Sequence, residues 1–360
     1  MTLPFSAPAD RFFSTDYVHA RTRFLEAAQR ATALHQAFSH PQSDDLFCDA
    51  VIVPHRSPYA LITLSGTHGV EGYCGSAIQS AVLHYNEYLA CHPMFQIHIH
   101  GLNAWGMRHF SRTDEQHVDI NRSIIDFTSV LPVNQLYPMV HEHLCFQDWD
   151  ERTIARFWDF QETFIRTHGL TGWNRAFSGG QYDYPDGVMY GGTAPGWSQR
   201  VLQRIAGLIP EFVTTLIVLD FHTGVGQFGE ALILVKQLTP IELAIRLPSV
   251  LSQRRSLIFD AHNLPLSTHN FSGLVLEAFT RLPQRCIPLV VEYGTYPARQ
   301  MIEAILYDRW LAWSSQDTAA LRQSLLEQYC PSDPAWRDRV LGHAWMLLDM
   351  IGKDLAEPER

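Results

Sequence analysis

Leu61-Ile62-Thr63-Leu64-Ser65-Gly66-Thr67-His68-Gly69-Val70-Glu71-Gly72 is an apolar run of strand length that breaks into a glycine-rich turn. Glycines at 66, 69 and 72 let the backbone turn sharply, and Gly75 to Leu89 then reads as a helix. The same grammar returns twice. Leu216-Ile217-Val218-Leu219 is a buried-strand pattern that runs into Asp220-Phe221-His222-Thr223-Gly224, and Ile287 to Val291 delivers Glu292. Alternating strands and helices favour a largely parallel sheet with helices on both faces. Ligands in such sheets sit beyond the carboxyl ends of the strands, where all three segments fall.

Outward from these segments, Ser14 can cap a helix with apolar positions at Tyr17, Phe24, Leu25, Ala28 and Leu34. Further strand patterns lie at Ala50 to Val53, Phe95 to Ile99, Ala231 to Val235 and Gly273 to Leu276. A stretch rich in aromatics and carboxylates at helical spacing, about 130–175, reads as a helical insertion. A Gly/Tyr/Pro-rich loop follows at about 178–197, and loops of that length in compact enzymes are often binding loops or lids. Three helices close the chain, from about Pro297, Thr318 and Ala335. The expectation is an α/β fold of one catalytic domain over 1–360, with a mixed, largely parallel central sheet.

Composition narrows the function. The chain has 360 residues, is 46% hydrophobic and carries a formal charge of −10, with no basic cluster of the kind a nucleic-acid partner demands. No apolar stretch is long enough to span a bilayer, and Met1 to Ala20 lacks the pattern of a secretory signal. Six cysteines without any CxxC spacing suit reduced thiols. A cytoplasmic protein is the expectation.

Two imidazoles, His68 and His222, and the carboxylate of Glu71 are a common ligand set for a catalytic zinc ion that leaves one position open for water. His-x-x-Glu alone is weak evidence. With 18 histidines in the chain, about one chance match is expected, and a second copy, His84 to Glu87, reads as a solvated helix face. The copy at His68 differs because its turn can aim both side chains at one point. For His222 the bland reading is a buried imidazole satisfied by backbone. The functional reading has Asp220 or a carbonyl fixing its tautomer. Glu292, placed after Pro288-Leu289-Val290-Val291, would be costly in a core without a charged partner. Beside a metal-bound water it has a use.

These residues resemble the carboxypeptidase A-like zinc hydrolase superfamily, with its succinylglutamate desuccinylase and aspartoacylase branch. More closely, Ser65 to Gly72, Val118-Asp119-Ile120-Asn121-Arg122, Gly179 to Tyr182, Met189 to Gly192, Asp220 to Gly224 and Glu292 to Thr295 resemble the family of domain of unknown function 2817. The resemblance implies a zinc-carboxypeptidase-like fold and one zinc ion per chain, held by His68, Glu71 and His222. It makes Glu292 the general base, which takes a proton from the metal-bound water and passes it to the leaving amine. Asn121 and Arg122 would bind a substrate carboxylate. Arg112 would polarise the scissile carbonyl, with Arg108 as its rival. Where such enzymes carry a tyrosine that closes over substrate, this chain has Asn270 and Phe271, and Tyr182, Tyr184 or Tyr190 are the replacements on offer. Ser123-Ile124 after the Asn-Arg pair also departs from the usual pattern.

Three readings follow: a carboxypeptidase-like zinc hydrolase acting on peptides, a hydrolase of small N-acyl amino acids, and a non-catalytic binding protein on the same fold. An intact set that includes Glu292 argues against the third, since a binder has no use for a general base. Neither His-Glu-x-x-His nor Gly-x-Ser-x-Gly occurs.

Overall fold

In the computed structural model the described residues are 8–85, 94–235, 258–260 and 271–356. Glu87, Cys91 and Asn270 lie outside them. An eight-stranded mixed sheet forms the centre. Its strands are β1 (Leu34–His40), β2 (Ser43–Val53), β3 (Tyr59–Leu64), β4 (Phe95–His100), β5 (Thr215–Gly224), β6 (Ala231–Val235), β7 (Ile258–Asp260) and β8 (Arg285–Gly294). They lie in the order β1-β2-β4-β3-β5-β8-β6-β7. The central four, β4-β3-β5-β8, run parallel. β1, β2 and β6 meet their neighbours antiparallel, apart from the parallel β6–β7 pair. This is the expected fold class.

Side-chain alternation along each strand assigns the two faces. Leu61, Ile217, Leu219, Ile287, Leu289 and Val291 pack with helices Tyr17–Arg30, Gly72–His84 and Pro334–Ala356. Ile62, Leu64, Ile97, Leu216 and Val218 pack on the other face, against helices Trp197–Ala206 and Glu277–Thr280. The chain leaves β3 for β4 on one side and later places β5 on the other. The strand order therefore reverses at β3/β5, the kind of crevice where α/β sheets bind ligands.

Several sequence expectations shift. Asp16, not Ser14, caps the first helix by accepting from the His19 N–H. That helix ends at Arg30, Thr32 takes a left-handed φ of 51°, and Leu34 starts a strand instead of closing the helix. Gly273 to Leu276 is no strand. The Gly273 carbonyl accepts from Ile124 N, and Val275 N donates to the Asn121 side chain, so local partners replace a ladder. β5 and β8 run past Leu219 and Val291 to Gly224 and Gly294, which puts His222 and Glu292 inside the sheet.

The insertion is a long helix, Glu151–Ser178, broken at Gly169 (φ 73°). Its Phe157, Phe164, Trp173 and Phe177 build a separate apolar cluster with Tyr137, Val188, Met189 and Leu306. The 178–197 loop is ordered chiefly by Gln181, whose side-chain amide donates to the carbonyls of Tyr184 and Val188 and accepts from the N–H groups of Asp183 and Tyr184. Cys48, Cys74, Cys145, Cys286 and Cys330 are free thiols. Among the described residues no helix is long and apolar enough to cross a membrane.

His98 and His100 on β4 are fully buried, and burial lowers both to about 4. His98 is held by Thr63 and Gln96, and His100 by Ser76. In the unfolded chain each protonates near 6.5, so below that pH the unfolded state binds protons that the folded state refuses. The stability tied to each ring is present above about pH 6.5 and is lost as pH falls towards 4, up to about 3 kcal/mol per ring. Denaturant titrations across this window are expected to show a shallower loss of stability on acidification in His98→Gln and His100→Gln than in the parent protein.

Candidate metal centre

The turn after β3 carries the first two groups. Gly66 has a φ of +77°, and a Cβ on Gly69 would fall 2.1 Å from the backbone of Gly106. Only glycine lets this turn pack so closely against the segment that follows β4. Glu71 occupies the N-cap place of helix Gly72–His84 but does not cap it. Its carboxylate turns to the two imidazoles, Oε1 lying 2.9 Å from His68 Nδ1 and Oε2 3.0 Å from His222 Nδ1. The two rings stand edge to face, 4.9 Å between centroids. In the β5–β8 ladder His222 lies directly opposite Glu292.

Each imidazole shows Nδ1 to the centre and Nε2 to a buried carboxylate. His68 Nε2 is 3.1 Å from Asp119 Oδ1, and His222 Nε2 is 2.8 Å from Asp220 Oδ2. Those carboxylates are themselves held. Asp220 accepts from the Thr67 hydroxyl at 2.7 Å, while Asp119 takes the Asn121 N–H and pairs with Arg112 at 2.5 Å. A carboxylate behind each ring places the N–H on Nε2 and leaves the Nδ1 lone pair for a cation. Ligand atoms of His68, Glu71 and His222 all lie within 4.8 Å of one another.

The donor set fits zinc. Two imidazoles and a carboxylate are a common catalytic zinc set, and His68 Nδ1, though 2.9 Å from Glu71 Oε1, is buried without a well-aligned hydrogen bond. Glu292 Oε2 is likewise buried without a partner. Burial pushes the Glu292 carboxyl up to about 7, with Glu71 adding to the rise and His222 and His68 opposing it. Burial also works against ionisation of Glu71, but His68 and His222 outweigh it and hold that carboxyl below its ordinary range. For His222 the burial penalty is overcome by Asp220 and Glu71, which raise it well above the usual imidazole value. At Asp119 burial is outweighed by Arg112 and His68, so it stays ionised.

The remaining sequence candidates separate. Arg112 joins the centre, its Nε 3.8 Å from Glu71 Oε1 and its backbone N–H fixed by Asp308 at 2.7 Å. Asp308 is in turn paired with buried Arg322. Arg108 does not join: it is half-exposed and pairs with Asp45 at the surface. Asn121 spends its side-chain oxygen on Val275 N. Arg122 is buried near Asp119, but Nε and Nη2 both donate to the Ser178 carbonyl, Nη1 donates to the Asn121 carbonyl, and the guanidinium packs over Phe271 at 4.6 Å. The edge that would grip a carboxylate is engaged by the protein's own backbone. Tyr190 contributes its carbonyl to Asp119 N–H, while the residue itself lines a cavity with Asp114, Val118 and Thr193. Tyr182 donates to the Arg122 carbonyl. Sequence reasoning missed Asp119, although it lies inside the Val118 to Arg122 motif, two residues before Asn121. It also missed Asp308, which carries no local signal at all.

If this cluster binds zinc, His222→Ala lowers the bound metal by one equivalent per chain in elemental analysis. Asp119→Asn keeps the ligands but removes the carboxylate behind His68, and titration against a zinc indicator is expected to show roughly 10–100-fold weaker binding.

Among curated proteins none matches the chain. Solved structures do show similarity. Bovine thrombin-activatable fibrinolysis inhibitor aligns at 11% identity over 93% of this chain and 98% of its own, with a TM-score of 0.47. Carboxypeptidase A from Helicoverpa armigera aligns at 12% identity over 86% of this chain and 73% of its own, at 0.45. A metallo-carboxypeptidase from Pseudomonas aeruginosa aligns at 13% identity over 89% and 68%, at 0.38. In sequence, residues 13–343 match the family described as protein of unknown function DUF2817. That span takes in every motif segment quoted above, and the chain belongs to the DUF2817 family.

Proposed function

We propose that this protein is a zinc-dependent hydrolase that cleaves an amide or peptide bond next to a free carboxylate. One observation carries the reading: a buried His-Glu-His cluster, its ligand atoms within 4.8 Å of one another, with Glu292 opposite His222 and its Oε2 buried without a partner. A binding protein has no use for a buried carboxylate set against a ligand cluster in this way, whereas a general base must lie within reach of the proton it takes.

His68, Glu71 and His222 would hold the zinc ion, which would supply Lewis acidity to the site when bound. The chain's own groups do the rest. Glu292 accepts the proton of the attacking water and returns it to the leaving nitrogen. Asp119 and Asp220 keep both rings in one tautomer and orientation. Arg112, held from behind by Asp119 and Asp308, sets a fixed positive charge beside the cluster, where an oxyanion develops.

The covering of Arg122 favours a second reading of the substrate. Ser178, at the end of the long insertion helix, occupies the edge of Arg122. With that edge covered, Arg122 does not single out the C-terminus of a peptide, and a small N-acyl amino acid stands beside it as a substrate class. We therefore take both classes as substrates to be compared, with no nucleic acid and no membrane as partner.

The test pairs metal content with turnover. Zinc-loaded protein is assayed on a panel of C-terminally free peptides and N-acyl amino acids, and Glu292→Gln is run beside it. Expected is retained zinc with turnover lowered about 10²–10⁴-fold in the variant. A variant that keeps its zinc and full activity removes Glu292 from the chemistry. Inactivity of the zinc-loaded parent on both classes sinks the substrate proposal.

A further inference from the structure

A second group of metal-ligating side chains lies in the insertion, away from the His-Glu-His cluster. His141 opens the one-turn helix His141–Leu144 and Cys145 follows its end, so the four-residue spacing sets both on one face. Asp186 reaches them from the 178–197 loop. All three are half-buried, and their ligand atoms lie within 4.8 Å of one another. The His141 ring is packed by aromatics, 4.3 Å from the Tyr184 centroid and 5.8 Å from that of Tyr137.

The three groups are joined by weak thiol contacts and one long ion pair, which a shared metal ion could replace. His141 Nδ1 lies 3.5 Å from Cys145 Sγ, whose thiol also meets the Asp186 backbone carbonyl at 3.7 Å, and Nε2 lies 3.5 Å from Asp186 Oδ1. The last distance is too long for a good N–H···O bond. Two ligands of one tetrahedral zinc, with Zn–S about 2.3 Å and Zn–N or Zn–O about 2.0–2.2 Å, stand roughly 3.4–3.6 Å apart. A common ion at Nε2 asks the Cys145 thiol, now nearer Nδ1, to close in from 3.9 Å. Arg309 approaches Asp186 through the other oxygen, Oδ2, at 3.6 Å, and its Nε is bound to the Asp186 carbonyl. Oδ1 stays turned to His141.

We infer that His141, Cys145 and Asp186 form a second zinc site, with the fourth position taken by water, that fastens the helical insertion to the Gly/Tyr-rich loop. Binding replaces the thiol proton, which leaves to solvent, by a sulfur–zinc bond. No oxidation state changes. The clamp bears on the first centre through a short path: three residues beyond Asp186, Met189 lays its sulfur 3.5 Å from Nη1 of Arg112. A pinned loop would hold that contact.

Cobalt(II) as a spectroscopic probe separates this site from the first, because only the second contains a thiolate. Full-length protein stripped with chelator and loaded with cobalt is expected to show a near-ultraviolet thiolate-to-cobalt band. His222→Ala should keep the band and one equivalent of zinc. Cys145→Ser should lose the band and one equivalent while retaining the metal of the first centre, and Asp186→Asn should bind cobalt at least about tenfold more weakly at this site. No thiolate band in cobalt-saturated parent protein overturns the inference without reference to any variant. A band that survives Cys145→Ser overturns it as well, since the sulfur then belongs to another cysteine.

Discussion

The interaction on which the centre depends is the Glu71 carboxylate shared between two imidazoles from distant parts of the chain. It bridges His68, three residues away, and His222, 151 residues away. Burying a carboxylate in this way is costly unless charge and hydrogen bonds compensate, and here two rings, each backed by another carboxylate, do so. Removing any one member leaves a buried charge without its counterpart. The shell behind the rings, Asp119 with Arg112 and Asp220 with Thr67, is therefore as much a part of the centre as the rings themselves. It reaches further still, through the Arg112 backbone to Asp308 and on to Arg322 in a C-terminal helix.

How much of this was legible in the sequence follows from the range of the forces involved. Strand runs ending in chemistry-bearing residues are local patterns, and they located His68, Glu71, His222 and Glu292 as well as the parallel centre of the sheet. Asp220 was legible as a partner of His222 because it is two residues away on the same face of a strand. Asp119 was hidden because an aspartate before an Asn-Arg pair reads as a turn residue until the fold brings His68 to it. Arg108 and Arg112 were indistinguishable in sequence, being four residues apart. What separates them is burial, with one facing Asp119 and the other facing Asp45 and solvent. Leu34 misled for a different reason: it keeps helical phase, but a left-handed Thr32 ends the helix before that phase matters.

Arg122 shows how a motif can persist while its use changes. An arginine with a free edge can hold a carboxylate with two parallel hydrogen bonds. Here that edge closes on Ser178 O, and the opposite end of the guanidinium meets the Asn121 carbonyl. The residue has become a tie between the strand-end motif and the end of the insertion helix. Access to its charge depends on how firmly the last turn of that helix holds its place.

The ladder that sets His222 against Glu292 also orders events in time. Strand side chains alternate faces, so a one-residue slip between β5 and β8 would turn one of the pair to the wrong side of the sheet. Their correct juxtaposition joins residues 70 apart (292 − 222), and Glu71 then adds the much longer closure to β5. Contacts between remote segments form late, because the entropy of closing the intervening chain is lost before they return anything. The cluster thus depends on register as well as on sequence: a nascent or partly folded chain has neither the His68-Glu71-His222 group nor Glu292 beside it.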